Sequence, residues 1–187
     1  MLHTLANKIT ILRIMLIPFL IIVTLSYRPE KDYLRWVAFA IFFVAAVSDL
    51  IDGYIARSRH QETKIGAILD SFADKLLLIS SFICLYKVSV LFTVVQFPAW
   101  LVVASISHDI IILLGIVVIH MLHKDLSIKP TILGKLTTFF QVLCVLGLLI
   151  QWPLAYIIWY VALGFIIVSL MDYVRIGIGI LKQDVAR

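Results

Sequence analysis

Four aspartates stand beside long apolar stretches in the segment Ser48–Lys75, SDLIDGYIARSRHQETKIGAILDSFADK. Asp49 and Asp52 are three residues apart and Asp70 and Asp74 four apart, so on helices each pair projects from one face. The loop between them is short enough to fold the two helices into an antiparallel hairpin and bring the pairs together. Ionised carboxylates crowded in a poorly solvated place repel one another, so either several are protonated or a cation lies among them. A hard divalent ion is the simpler solution, and an oxygen donor set suits magnesium or manganese better than zinc. Partly hydrated magnesium commonly also holds substrate phosphate, which points to phosphoryl chemistry. Gly53 removes a side chain where a ligand could approach the backbone, and Arg57, one turn on, offers a planar fork for a pyrophosphate. Gly66 lets the two helices pack closely. The bland alternative is that the acids cap helix ends or face water. Acids at a membrane edge are functional by default, and here four share one hairpin.

The elements that must hold these residues are membrane helices. With 63% hydrophobic and 14% charged residues, the composition lies outside soluble-protein usage. Apolar stretches of roughly 17–25 residues or more, enough to cross a bilayer, fall at 9–27, 34–56, 66–88, 91–121, 131–151 and 153–181. Backbone groups in hydrocarbon must be satisfied within their own segment and no stretch alternates as a barrel strand does. The expected fold is therefore all-α, a polytopic protein with six transmembrane helices forming a single domain over 1–187. The apolar run after Lys8 carries Arg13 and Pro18 and has no small-residue cleavage site, so it reads as a membrane helix and not as a signal peptide.

Basic residues gather at alternate helix ends: Lys8 and Arg13, then Arg57, Arg59 and Lys64, then Lys124, Lys129 and Lys135, then Arg175, Lys182 and Arg187. The opposite loops are poor in net positive charge, so both termini and the aspartates are expected on the cytoplasmic side. The net charge of +5 thus meets anionic headgroups and phosphate esters, and nucleic acid is not an expected partner. Cys84 and Cys144 lie in apolar helices without metal-ligand spacing and read as core residues.

At this point the residues resemble a known family. The segment is similar to the CDP-alcohol phosphatidyltransferase signature D-x-x-D-G-x-x-A-R, eight residues, G-x-x-x-D-x-x-x-D, with Asp49, Asp52, Gly53, Ala56, Arg57, Gly66, Asp70 and Asp74 at its fixed positions. The stretch NKITILRIMLIP resembles the N-x-x-T-x-x-R-x-x-x-x-P of that family's first helix. The resemblance implies that Asp49, Asp52 and Asp70 hold metal, Mg2+ or Mn2+ and two ions in all. Asp74 would contribute to the second metal position and act as general base. It assigns Asn7, Thr10, Gly53, Arg57, Thr63 and Gly66 to the CDP moiety, with Arg13 in support. It also implies CDP-diacylglycerol as donor, an alcohol acceptor, surrounding membrane lipids, a homodimer, and a bacterial inner (cytoplasmic) membrane location with the active site facing the cytoplasm.

The acceptor is less sharply marked. GKLTTFFQ, 134–141, resembles the GKxKTxxQ of the branch that uses glycerol 3-phosphate, departing at Thr137 where that pattern has lysine. That branch also carries an Arg-Glu pair where this chain has His108 and Asp109, so Lys135 and Arg175 are the candidates for an acceptor phosphate. The runner-up is the branch that uses phosphatidylglycerol and makes cardiolipin, because SHDI and IKPTILGKLTTFFQ are similar to its S-R-D and K-P-T segments. Adjacent helix residues diverge by about 100°, so His108 and Asp109 are not expected to orient one another as in a triad. His120 and His123 are expected to be solvated interface residues. Two readings from other classes remain: a transporter binding a permeating cation, and a structural subunit of a larger membrane complex. The first would place its acids near the midplane, and the second gives the aspartates no task.

Overall fold

The structure is a computed structural model, and it describes the backbone of residues 5–58, 64–122 and 131–185 and the side chains of 10–48, 72–115 and 131–175. The apolar runs become helices: α1 (Leu5–Leu25), α2 (Tyr33–Ser58), α3 (Lys64–Ser89), α4 (Ala99–Leu122), α5 (Ile132–Ile150) and α6 (Ala155–Val185), with a 3-10 turn at Pro29–Lys31. Among the described residues there are six α-helices and no strand. Two stretches, Ile132–Ile150 and Ala155–Arg175, are by length and composition long and apolar enough to cross a bilayer. Shorter apolar stretches lie in α1, α2 and α4.

The outer surface of these helices is apolar where that of a water-soluble protein is polar, and a set of polar side chains is enclosed with the apolar core. Met15, Phe19, Ile22, Phe43, Ile83, Val103, Leu114 and Val174 are exposed, whereas Arg13, His108, Thr137, Gln141 and Ser169 are fully buried. Hydrocarbon outside imposes this, because a polar group facing lipid has no partner while one facing a neighbouring helix does.

Contacts divide the chain into two compact units, one of Met1–Phe97 with Val145–Pro153 and the other of Pro98–Cys144 with Leu154–Arg187. In the first unit α1 packs against both α2 and α3. Its buried stripe is Thr10, Arg13, Ile17, Leu20 and Thr24, spaced by threes and fours as one helix face requires, and Tyr27 is buried just past the helix end. The buried stripe of α2 is Ala38, Phe42 and Ala45, whose small residues admit a close neighbour. That of α3 includes Ala73, Leu77, Ser81, Leu85 and Val88.

The fourth helix begins at Ala99 and not near 91 as the apolar run suggests. Pro98 supplies the reason, since a proline favours the start of a helix and disfavours helical backbone before it. The intervening segment stays irregular although Phe92, Val95 and Phe97 are buried, because side chains satisfy its backbone. Gln151, at the end of α5, accepts from Val94 N and Val95 N at 3.1 Å each and donates to Val95 O at 3.1 Å and Leu148 O at 2.8 Å. Ser89 Oγ accepts from Phe97 N at 3.2 Å. Beside this plug, Arg35 forks onto Asp32 through two 2.8 Å bonds and donates to Leu149 O at 2.6 Å. The guanidinium holds the Asp32 carboxyl below the usual carboxylate range. This ion pair is part of why the first loop is poor in net positive charge.

In the second unit α4 packs against α6. Trp100 stacks on Tyr160 at 5.5 Å and Phe140 on Phe165 at 4.7 Å. Both cysteines are buried thiols, as their apolar surroundings predict.

Candidate functional site

The buried stripes of the first unit run toward the acidic end. Continuing the Ala38–Phe42–Ala45 spacing along α2 reaches positions 49 and 52, and in α3 stepping back from Leu77 by three and then four reaches 74 and 70. Position 52 lies six residues before the end of α2 and position 70 six residues after the start of α3, roughly 9 Å along each axis. The α1 stripe becomes polar at its corresponding end, at Thr10 and Arg13. The sequence therefore spends its apolar residues on holding three helices together and its acids on the turns where they finish.

Asp74 is the sequence-predicted acid whose side chain lies among the described residues. It keeps a quarter of its surface, and its Oδ1 accepts from Arg13 Nη1 at 2.6 Å. Arg13 has no exposed surface at all. Thr10, one turn earlier on the same face, is buried at 2%. The first helix thus brings a charge-assisted bond to the aspartate predicted to be the base. Ala73, fully buried beside Asp74, lets α3 approach its neighbour, while Phe72 is turned outward. The side chains of Asn7, Asp49, Asp52, Gly53, Arg57, Gly66 and Asp70 lie outside the described residues, as does Thr63 entirely. Among the described residues, no three of His, Cys, Asp and Glu come together as metal ligands.

The second unit carries a polar network where its three helices meet. Thr131 caps α5 by accepting from Gly134 N at 3.1 Å. A Cβ on Gly134 would stand 3.7 Å from the Tyr173 ring, so the start of α5 lies against α6. Lys135 follows Gly134 and Arg175 lies two residues past Tyr173, which puts both at one end of this unit, and both are exposed. Thr137, at the departure from the lysine pattern, is fully buried and donates to Leu133 O at 2.9 Å or Phe165 O at 3.2 Å. Gln141 Nε2 reaches Ser105 O at 3.5 Å.

His108 and Asp109 do contact each other, contrary to the sequence expectation: Nδ1 and Oδ1 are 3.1 Å apart. The Cβ directions diverge, but Nδ1 is the ring nitrogen nearer the backbone and the short aspartate spans the gap. Nε2 stands 3.2 Å from Ser169 Oγ on α6, so the ring bridges the carboxylate and the hydroxyl. This Ser–His–Asp set has at most 2% exposure at any member, so it ties α4 to α6 and presents no nucleophile to a substrate. His120 and His123 have side chains outside the described residues.

Sequence reasoning missed the Gln151 plug and the pairing of Arg13 with Asp74. The second had a signal in the three-residue spacing of Thr10 and Arg13, which marks one helix face. Residues 3–168 match the family model for CDP-alcohol phosphatidyltransferase. A Bacillus subtilis protein named CDP-diacylglycerol--glycerol-3-phosphate 3-phosphatidyltransferase is 31% identical over 186 residues, 90% of this chain and 92% of the relative. A Haemophilus influenzae protein of the same name is 31% identical over 182 residues, 95% of each. A Mycobacterium tuberculosis protein named probable phosphatidylglycerophosphate synthase is 30% identical over 142 residues, 75% of this chain and 63% of the relative. With a family model covering most of its length and relatives aligned nearly end to end, the chain belongs to the CDP-alcohol phosphatidyltransferase family.

Proposed function

We propose that the chain transfers the phosphatidyl group of CDP-diacylglycerol to glycerol 3-phosphate, with release of CMP, in phospholipid synthesis. The observation that carries this reading is a partly exposed Asp74, held by a buried Arg13, at the end of helix stripes that lead to the other three signature aspartates. The names of the full-length relatives support glycerol 3-phosphate as acceptor.

Asp49, Asp52, Asp70 and Asp74 would hold two Mg2+ or Mn2+ ions, which an all-oxygen donor set at adjoining helix turns fits. Such ions supply charge neutralisation at the pyrophosphate when bound. Asn7, Gly53, Arg57, Thr63 and Gly66 bind the CDP moiety, and Thr10, at 2% exposure, supports that site from the packing face of α1. Asp74 takes the proton of the acceptor hydroxyl as its oxygen bonds to the phosphorus that bears diacylglycerol. The bond from that phosphorus to the CMP oxygen breaks, and CMP leaves with the electron pair. Lys135 and Arg175 bind the acceptor phosphate, supported by their exposure at one end of the second unit.

The whole of 1–187 works as one transferase domain crossing a bacterial inner membrane six times, with both termini and the aspartates cytoplasmic. The acyl chains of the donor then stay in the bilayer while its CDP head meets the aspartates. A homodimer fits the broad apolar exposure of the single chain.

The test is purified protein in detergent with labelled CDP-diacylglycerol and Mg2+, offered glycerol 3-phosphate, phosphatidylglycerol, inositol phosphate or serine separately. Turnover with glycerol 3-phosphate, and loss of at least ~100-fold of it in Asp74→Asn, is the expected result. Turnover with phosphatidylglycerol alone makes the protein a cardiolipin-forming enzyme instead. No CMP release with any acceptor removes the transferase reading.

A further inference from the structure

Arg13 is the largest of the fully buried side chains among the described residues. It lies on α1, amid apolar residues of that helix, with its guanidinium on Asp74 Oδ1 at 2.6 Å. A fold that needed only to fasten α1 to α3 would do so as well with an apolar residue of similar volume, because desolvating a guanidinium offsets much of the attraction it gains. An arginine kept at this place is therefore better explained by what it does to the carboxylate. Oδ1 is engaged by a rigid planar donor anchored in the helix interior, which fixes the orientation of Asp74. The same cation competes for that carboxylate with any metal ion drawn to the acidic end.

We propose that Arg13 is a positioning residue. It holds Asp74 as the proton acceptor and keeps its carboxylate from being taken fully into the coordination shell of the metal, so that Asp49, Asp52 and Asp70 carry most of the metal affinity. The proposal rests on the reading of Asp74 as the base, but its first test does not require turnover.

That test is a double-mutant cycle on Mn2+ affinity, measured calorimetrically on the full-length protein in detergent with Arg13→Gln, Asp74→Asn and the double variant. Arg13→Gln should tighten Mn2+ binding by about tenfold, and the same change in the Asp74→Asn background by less than about twofold, because the gain arises through the released carboxylate. An equal gain in both backgrounds makes Arg13 a remote charge and overturns the proposal, as does an unchanged affinity or a wild-type protein that binds no Mn2+. Arg13→Lys keeps the charge without the fork and covers the case in which Arg13→Gln fails to fold. It should hold Mn2+ affinity and the KM for CDP-diacylglycerol within about threefold while kcat falls by about tenfold. A wild-type kcat in Arg13→Lys overturns the proposal. Failure of the wild type to transfer phosphatidyl would sink the proposed function, whereas the binding cycle would still report on the pair.

Discussion

Arg13 has no exposed surface and Asp74 keeps a quarter of its own, so the two partners of this ion pair respond differently to loss of the other. An arginine left in the helix interior without its carboxylate bears the desolvation cost of a buried charge, whereas a lone Asp74 still reaches solvent. Replacement at position 74 should therefore depend on what remains to accept from Nη1. Asparagine keeps an amide oxygen in nearly the same place, and alanine keeps nothing. We expect Asp74→Ala to cost about 2 kcal/mol more stability than Asp74→Asn, below the value for a fully buried pair because of the partial exposure of Asp74. Both variants should lose transferase activity alike. Thermal unfolding in one detergent, read beside CMP release, separates the two effects. Equal unfolding temperatures would mean that other contacts of Arg13 carry its burial.

Helix ends and connections decide which elements the apolar pattern could define. Gln151 adopts φ 59°, a left-handed conformation that costs a side-chain-bearing residue about 1 kcal/mol. It is retained because its amide supplies four hydrogen bonds to the 94–95 backbone and to Leu148 O. Gln151→Gly relieves the backbone and loses the amide, and Gln151→Ala loses the amide with the strain still present. Both should lower stability, by about 2 kcal/mol for glycine and about 1 kcal/mol more for alanine, as chemical denaturation in mild detergent would show. A glycine variant as stable as wild type would mean that water replaces the amide. This plug also shows where the sequence was legible and where it was not. The helices follow from runs of apolar residues, and the faces that pack them from spacings of three and four, because both are local periodicities. The late start of α4 required weighing Pro98 against an unbroken apolar run. The bonds of Gln151 join residues 56 and 57 apart in sequence, which no local pattern encodes. The contact between His108 and Asp109 was misjudged by extending Cβ directions to side-chain tips. Arg13 could be placed on a face, but not assigned its partner 61 residues away.

The distribution of polarity over the whole molecule gives the proposed topology its physical basis. Among the described residues, large apolar side chains make up much of the exposed helix surface while Arg13, His108, Thr137, Gln141 and Ser169 are enclosed, so lipid is the consistent solvent for the spans. α2 and α3, at 26 residues each, are about 39 Å long, exceeding a hydrocarbon core of roughly 30 Å. Their excess length is available at the acidic end, where the signature aspartates occur within the last three turns of α2 and the first three of α3. In the proposed topology an even number of spans returns the chain to the side on which it began, and the lysine and arginine bias favours the cytoplasm for that side. Cys84 and Cys144 are buried, so replacing both by alanine should leave a competent background for single reporter cysteines. Glu30→Cys, in the exposed 3-10 turn, and Thr93→Cys, in the exposed part of the loop before α4, should react with a membrane-impermeant maleimide in intact cells. Arg59→Cys and Lys182→Cys should react only after permeabilisation. Labelling of positions 59 and 93 from the same side would break the alternation and leave α3 within one leaflet. Labelling of all four in the reverse order would keep six spans but place the aspartates outside, away from a cytoplasmic supply of glycerol 3-phosphate, and the proposed acceptor would fail with the orientation.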